Sequence, residues 1–268
     1  MNKITLSTLD RLKQAGEKIT CLTAYDATFA QQLASAGVEI VLVGDSLGMV
    51  LQGRDSTVAV TMEHMIYHTE CTANGIRQAE VQPFLIADMP YMSYATSEQT
   101  FINATALMQA GAQMVKVEGG SWLIDTIQAL THRGVPVCGH LGLTPQSVDA
   151  LGGYKVQGKT PFAAAKIKTE AEALAKAGIR LLVLECVPAA LGEEISQSLE
   201  IPVIGIGAGI GTDAQVLVLH DMLGITPGFK PKFVKNFMEE SNDIQEALKN
   251  YVNHVKNKTF PTAEHSFK

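Results

Sequence analysis

Four carboxylates recur in one setting along the chain. Asp45 follows the apolar run Ile40–Gly44, Asp88 ends Phe84–Ala87, Glu118 ends Met114-Val115-Lys116-Val117, and Glu185 ends Leu181–Leu184. A short apolar run bounded by turn residues reads as a strand buried on both faces. A carboxylate at the end of such a strand carries a large desolvation cost unless it is paired, solvated or bound to a cation. Strands two and three, which deliver Asp45 and Asp88, are neighbours in a parallel sheet. Two adjacent carboxylates repel unless a cation lies between them, and oxygen-only ligands select Mg2+ over zinc. Glu118 completes that shell directly or through water. Lys116 and Glu118, two apart on one strand, share a face. They read either as a structural ion pair or as a fixed cation for an anionic substrate oxygen. His140 follows Cys138-Gly139, and is either hydrogen-bonded structure or a substrate contact. Glu185 stands across the sheet from the aspartates and is the candidate free base. A divalent cation, a lysine and a separate glutamate suit enolate chemistry on a 2-oxo acid: charge on the carbonyl oxygen is stabilised while the base takes the neighbouring C–H proton.

These residues need a scaffold that brings strand ends to one face. Strands are expected at 19–23, 40–44, 83–87, 113–117, 135–139, 180–184, 202–206 and 216–219, most of them separated by helices. Ala36-Gly37-Val38, Ala110-Gly111-Ala112 and Ala177-Gly178-Ile179 repeat one junction, a helix end, a glycine stop and a buried strand. Eight such steps imply a (β/α)8 TIM barrel, whose active sites lie at the C-terminal ends of the strands. A doubly wound open sheet is the competing architecture, but no GxGxxG follows the first strand. Asp26 and Asp221 read as helix caps or loop partners. Two long connections stand out. Leu47 to Thr61 reads as a functional loop or a small hairpin. The Gly-rich loop Gly142 to Gly158 reads as a lid. From Pro231 to about Lys256 the pattern is an amphipathic helix, then a polar tail, so residues 1–268 are expected to form a single barrel domain with a C-terminal helical extension (about 231–256).

Composition sets the outer bounds. The 268 residues suffice for one barrel, and 46% apolar with 18% charged residues is ordinary for a globular protein. A net charge of −6 argues against nucleic acid or an anionic membrane as partner. No signal peptide and no membrane span is expected. Cys21, Cys71, Cys138 and Cys186 are far apart and read as reduced core thiols of a cytoplasmic protein.

Several segments together resemble one family. They are Val43-Gly44-Asp45-Ser46-Leu47-Gly48, Gln52-Gly53 with Ser56-Thr57, Ala87-Asp88-Met89-Pro90, Val115 to Gly120, Gly139 to Pro145, Gly153 to Gly158, Leu184-Glu185 and Glu264 to Phe267. In this order and over essentially the whole chain, they are similar to the ketopantoate hydroxymethyltransferase family. The resemblance implies a barrel of the phosphoenolpyruvate/pyruvate type. It implies transfer of a hydroxymethyl group from 5,10-methylenetetrahydrofolate to 3-methyl-2-oxobutanoate, giving 2-dehydropantoate for pantothenate synthesis. It implies magnesium carboxylates at Asp45, Asp88 and Glu118, substrate contacts at Asp45, Ser46, Asp88 and Lys116, a base at Glu185, and a homo-oligomer, usually a decamer. Tyr91, Tyr94 and Tyr154 are candidates for stacking on the pterin and equally for core or surface packing. Two other readings compete: a Mg2+-dependent C–C lyase on the same barrel, and a barrel kept as a binding module.

Overall fold

The computed structural model describes residues 2–268. Eight parallel strands close into a barrel: β1 (Ile19–Thr23), β2 (Ile40–Val43), β3 (Phe84–Asp88), β4 (Met114–Glu118), β5 (Val137–Gly142), β6 (Leu181–Glu185), β7 (Val203–Ile206) and β8 (Ala214–Leu217). They pair in sequence order, and β8 returns to β1 with Ala214 opposite Ile19. The helices are α1 (Leu6–Gln14), α2 (Ala27–Ala36), α3 (Met62–Arg77), α4 (Ser97–Gln109), α5 (Ile124–Thr131), α6 (Pro161–Ala177), α7 (Ala189–Ser198) and α8 (Ile244–Lys256). A two-stranded parallel pair, Asn2–Lys3 with Val81–Gln82, lies outside the barrel and has no counterpart in the sequence reading.

Local chemistry explains the helix starts. Asp26 accepts the N–H of Phe29, Thr61 accepts that of His64, Thr160 accepts that of Ala163 with Pro161 at the first helical position, and Asp243 accepts that of Glu246. Each satisfies a donor that the helix itself leaves orphaned. The chain from β7 to β8 carries no helix, as its length foretold.

Four boundaries differ from expectation, the eighth strand being one, at Ala214–Leu217 rather than 216–219. The helix expected from Pro231 begins only at Ile244, because the favourable N-cap is Asp243; a short 3-10 turn, Phe237–Glu240, precedes it. The excursion from Leu47 holds a one-turn helix, Leu47–Val50, and no hairpin. The fifth strand is displaced from 135–139 to Val137–Gly142, which brings His140 inside it.

The core has two layers. One lies between strands and helices. The other fills the barrel and takes alternate residues of each strand, including Ile86, Met114, Cys138, Leu181 and Val183. Strand side chains alternate in direction with period two. The next inward residues along these strands are therefore Asp88, Lys116, His140 and Glu185, and Glu118 follows Lys116. Among the described residues no helix is long and apolar enough to cross a membrane. The four cysteines are unpaired, three of them buried.

Candidate active site

The alternation that fills the barrel below also builds the site above it. Strand ends β3 to β6 present a continuous line of charge. Lys116 Nζ lies 2.9 Å from Asp88 Oδ1 and 3.4 Å from Glu118 Oε1. His140 Nδ1 lies 3.2 Å from the same Glu118 oxygen, and its Nε2 lies 3.3 Å from Glu185 Oε2. Asp45, from the turn after β2, joins through its backbone N–H, which donates to Asp88 Oδ2 at 3.0 Å. All are buried except Glu185, whose side chain keeps 12% of its surface open.

Burial gives these contacts electrostatic weight. Burial, then the charges of Asp88 and Glu118, push the Asp45 carboxyl well above the usual carboxylate range. Burial also works against Glu118, but Lys116 and His140 overcome it and hold that carboxyl near about 2. Burial disfavours the His140 imidazolium, yet the Glu118 charge, the hydrogen bond to Glu118 and the nearby Glu185 carboxylate raise it to about 9. The Lys116 ammonium is likewise desolvated and, through Asp88, Glu118 and Asp45, held in its charged form.

The structure brings together all the site residues expected from the sequence: Asp45, Ser46, Asp88, Lys116, Glu118, His140 and Glu185 line one cavity of about 840 Å³ at the C-terminal ends of the strands. Ser46 Oγ is 2.9 Å from the Tyr25 hydroxyl. Lys116 does form the structural pair with Glu118, but it also faces Asp88 and the cavity. His140 both links two carboxylates and lines the cavity. Asp26 is a helix cap, whereas Asp221 accepts from Thr226 at 2.6 Å at the cavity rim.

The structure separates the alternatives for the three tyrosines. Tyr94 is buried, its ring stacked on Trp122 at 6.0 Å, and Tyr91 is not among the lining residues, so of the three tyrosines only Tyr154 reaches the cavity. The residue that sequence reasoning missed is Gln146. It sits on the 3-10 turn Pro145–Ser147 after β5, and donates from Nε2 to Asp45 Oδ2 at 2.8 Å and to Met89 O at 3.0 Å. Its backbone N–H donates to Glu118 Oε2 at 3.0 Å, and the Tyr94 hydroxyl donates to its side-chain oxygen at 2.5 Å. Its only signal was its place immediately after the Gly139 to Pro145 segment.

The donor set fits a hard divalent cation. Four carboxyls, Asp45, Asp88, Glu118 and Glu185, face one ammonium and one imidazole, leaving negative charge in excess. Asp88 Oδ1, although close to Lys116, has no well-directed hydrogen bond. Among the described residues, no three His, Cys, Asp or Glu side chains stand arranged around a single metal position. The oxygens of Glu118 are engaged by Lys116, His140 and Gln146, so two aspartates present the available oxygens. Mg2+ commonly takes one or two carboxylates and fills the rest of its shell with water and substrate.

Comparison with known proteins agrees. In structure, the chain is similar to phosphoenolpyruvate phosphomutase of Streptomyces platensis subsp. rosaceus (TM-score 0.61, 14% identity, 82% of each chain covered). It is also similar to 2,3-dimethylmalate lyase, a PEP mutase/isocitrate lyase superfamily member (TM-score 0.58, 17% identity, 82% of each chain). These likenesses fix the barrel type. In sequence, it is 57% identical over 267 residues to the 3-methyl-2-oxobutanoate hydroxymethyltransferase of Shewanella sediminis and 58% identical to that of Alteromonas mediterranea, with each chain covered completely. The profile of one family matches residues 3–263, and the chain belongs to that family, ketopantoate hydroxymethyltransferase.

Proposed function

We propose that this protein transfers a hydroxymethyl group from 5,10-methylenetetrahydrofolate to 3-methyl-2-oxobutanoate, forming 2-dehydropantoate for pantothenate synthesis. The observation that carries the reading is the line of alternating charge Asp88–Lys116–Glu118–His140–Glu185 across the cavity floor, ending on a carboxylate that still faces the cavity. Asp45 and Asp88 would hold Mg2+, with Glu118 behind them through water. When bound, the ion supplies positive charge to the carbonyl and carboxylate oxygens of the oxo acid.

The chain's own residues do the rest. Lys116, desolvated and charged, takes up negative charge developing on the keto oxygen. Ser46 and the Tyr25 hydroxyl behind it offer a polar contact beside Asp45. Glu185 accepts the C3 proton. The His140 imidazolium lies 3.3 Å from one Glu185 oxygen and draws that carboxylate toward it by charge. Water adds to the donor's methylene carbon as its two C–N bonds open, so that tetrahydrofolate leaves with one proton on each nitrogen; the nucleophilic C3 attacks the one-carbon aldehyde so released, and the new alkoxide takes the proton from Glu185 to become the CH2OH group. The lid role of the loop from Gly142 to Gly158 is supported by its fastening at both ends, through Gln146 and through the Gln157 N–H to Cys186 O at 2.9 Å.

A lyase using a cysteine thiolate fits less well. Cys186, next to Glu185, is buried, and burial followed by the Glu185 charge pushes its thiol up. We extend the proposal to a cytoplasmic homo-oligomer, a decamer on the family pattern, of a one-domain chain with a C-terminal extension.

The test is proton NMR in D2O with 3-methyl-2-oxobutanoate and Mg2+. The C3 proton signal should disappear without folate, and 2-dehydropantoate should form once 5,10-methylenetetrahydrofolate is added. The absence of both exchange and product would overturn the reading.

A further inference from the structure

Resting on that transferase reading, we propose that the outer lobe of the cavity, where Phe233 and Phe267 converge over Gly207, seats the flat ring of the one-carbon donor, a reduced pterin, with Lys232 facing its anionic tail. The cavity, at about 840 Å³, is large for a small oxo acid; pockets of roughly 300–1,000 Å³ hold ligands of drug size. Its polar groups are not spread evenly. The floor carries the line of charge, whereas the mouth beside β7 and the C-terminal segment is apolar and aromatic.

That aromatic wall is built. A Cβ on Gly207 would fall 3.0 Å from a ring carbon of Phe233 and 3.0 Å from one of Phe267, so the two rings meet where there is no side chain. Gly207 also has φ +60°, the left-handed region that glycine enters without strain. Both rings are half-buried and line the cavity. Phe267 is held by its backbone: the Ala189 N–H donates to its carbonyl at 2.9 Å. Lys232 donates to Ser266 O at 2.5 Å and lies 5.3 Å from the centre of the Phe267 ring. A half-open aromatic face beside a cation suits a planar heterocycle that carries carboxylates.

The position is also chemically apt. Phe267 bridges to Pro188, three residues beyond Glu185 on the same stretch of chain. A ring resting on this wall therefore lies next to the carboxylate that deprotonates the acceptor, where its one-carbon unit has to meet the new nucleophile.

The experiment separates the two halves of the reaction. In Phe267→Ala, KM for 5,10-methylenetetrahydrofolate should rise about tenfold, the size expected for loss of an aromatic partner together with its buried area. The donor-free C3 deuterium exchange of 3-methyl-2-oxobutanoate should keep the wild-type rate. Phe267→Tyr should restore the donor KM, and Phe233→Ala, on a separate segment, should reproduce the split. Tetrahydrofolate binding measured by calorimetry should weaken in the same variants. The proposal is overturned if the donor KM of both alanine variants stays within about twofold of wild type, or if exchange falls in step with turnover, which would make the wall a support for Glu185. Absence of exchange in the wild-type protein would instead refute the transferase reading itself, and this proposal with it.

Discussion

Replacing Gln146 by Leu isolates the contribution of one side chain that joins a surface loop to the candidate metal carboxylates. The change keeps the volume nearly constant and leaves the backbone N–H bond to Glu118 in place. It removes the donors to Asp45 Oδ2 and Met89 O, and the acceptor for the Tyr94 hydroxyl, which retains Glu118 O at 3.2 Å. With Asp45 protonated in the free protein, each of the three neutral hydrogen bonds lost is worth about 1 kcal/mol, so, with the Leu side chain offsetting a part, a net loss of about 2 kcal/mol is expected. For a chain of this size that lowers Tm by roughly 4–8 °C. The sharper readout is the cation. The Gln146 amide stabilises the ionised form of Asp45, and without it the Asp45 proton, already retained by burial and by Asp88 and Glu118, is held more firmly. Loss of such a supporting hydrogen bond costs about 10- to 100-fold in metal affinity. Calorimetric titration with Mg2+ near neutral pH should show that loss, and raising the pH should recover part of it, because deprotonating Asp45 by hydroxide substitutes for the missing amide. A Kd within twofold of wild type at both pH values, with Tm lowered, would refute the reasoning and leave Gln146 a purely structural residue.

Mg2+ binding to the wild-type protein should itself release protons. Asp45 has a raised pKa before the ion arrives and must ionise to accept it, so the apparent Kd should tighten as pH rises, and the observed heat should depend on the ionisation enthalpy of the buffer; buffer-independent heat would count against Asp45 as a ligand. Asp45→Asn should remove both the proton release and Mg2+-dependent turnover while Tm stays near or above the wild-type value, since the substitution relieves a buried like-charge contact. Glu185→Gln should still bind Mg2+ and the oxo acid, with C3 exchange and product formation falling together by about 10² to 10⁴, the range for loss of a general base; exchange persisting at the wild-type rate would move Glu185 to the folate half of the reaction. Limited proteolysis should cut beside the exposed residues Tyr154 and Lys155 in the free protein and slow when oxo acid and Mg2+ are present; equal rates would remove support for a lid.

What the sequence made legible follows from burial. An apolar run ending in a carboxylate announces both its strand and its unusual end residue, and period-two alternation carries Lys116 and Glu118 to one side, as found. Neighbouring strands two and three do bring Asp45 and Asp88 into contact. Legibility fails where a residue's environment comes from elsewhere in the chain. Gly139 reads as the last residue of the fifth strand, yet it lies inside β5, where Ile179, Leu174 and Leu182 from other segments crowd the space a side chain would need. Gln146 is a polar residue in a polar loop until the fold turns it inward against Asp45. Phe267 lies in a tail with no periodicity, and only the backbone bridge to Pro188 places it at the cavity.

The way the barrel closes has a consequence for synthesis. Its seam joins the first strand to the last, with Ala214 opposite Ile19, and the Leu219 N–H donates to Thr23 Oγ1 across 196 residues. Tyr251, on α8, then fastens the seam by donating to Cys21 O and Gln215 O, one carbonyl on each strand. As the chain leaves the ribosome, β1 emerges early and stays an unpaired edge until nearly all of the protein has followed. Contacts this distant in sequence form slowly, and exposed strand edges invite association with other chains. The nascent barrel therefore spends most of its synthesis open along one line. It is at this interval, rather than in the finished molecule, that a chaperone would have most effect on yield.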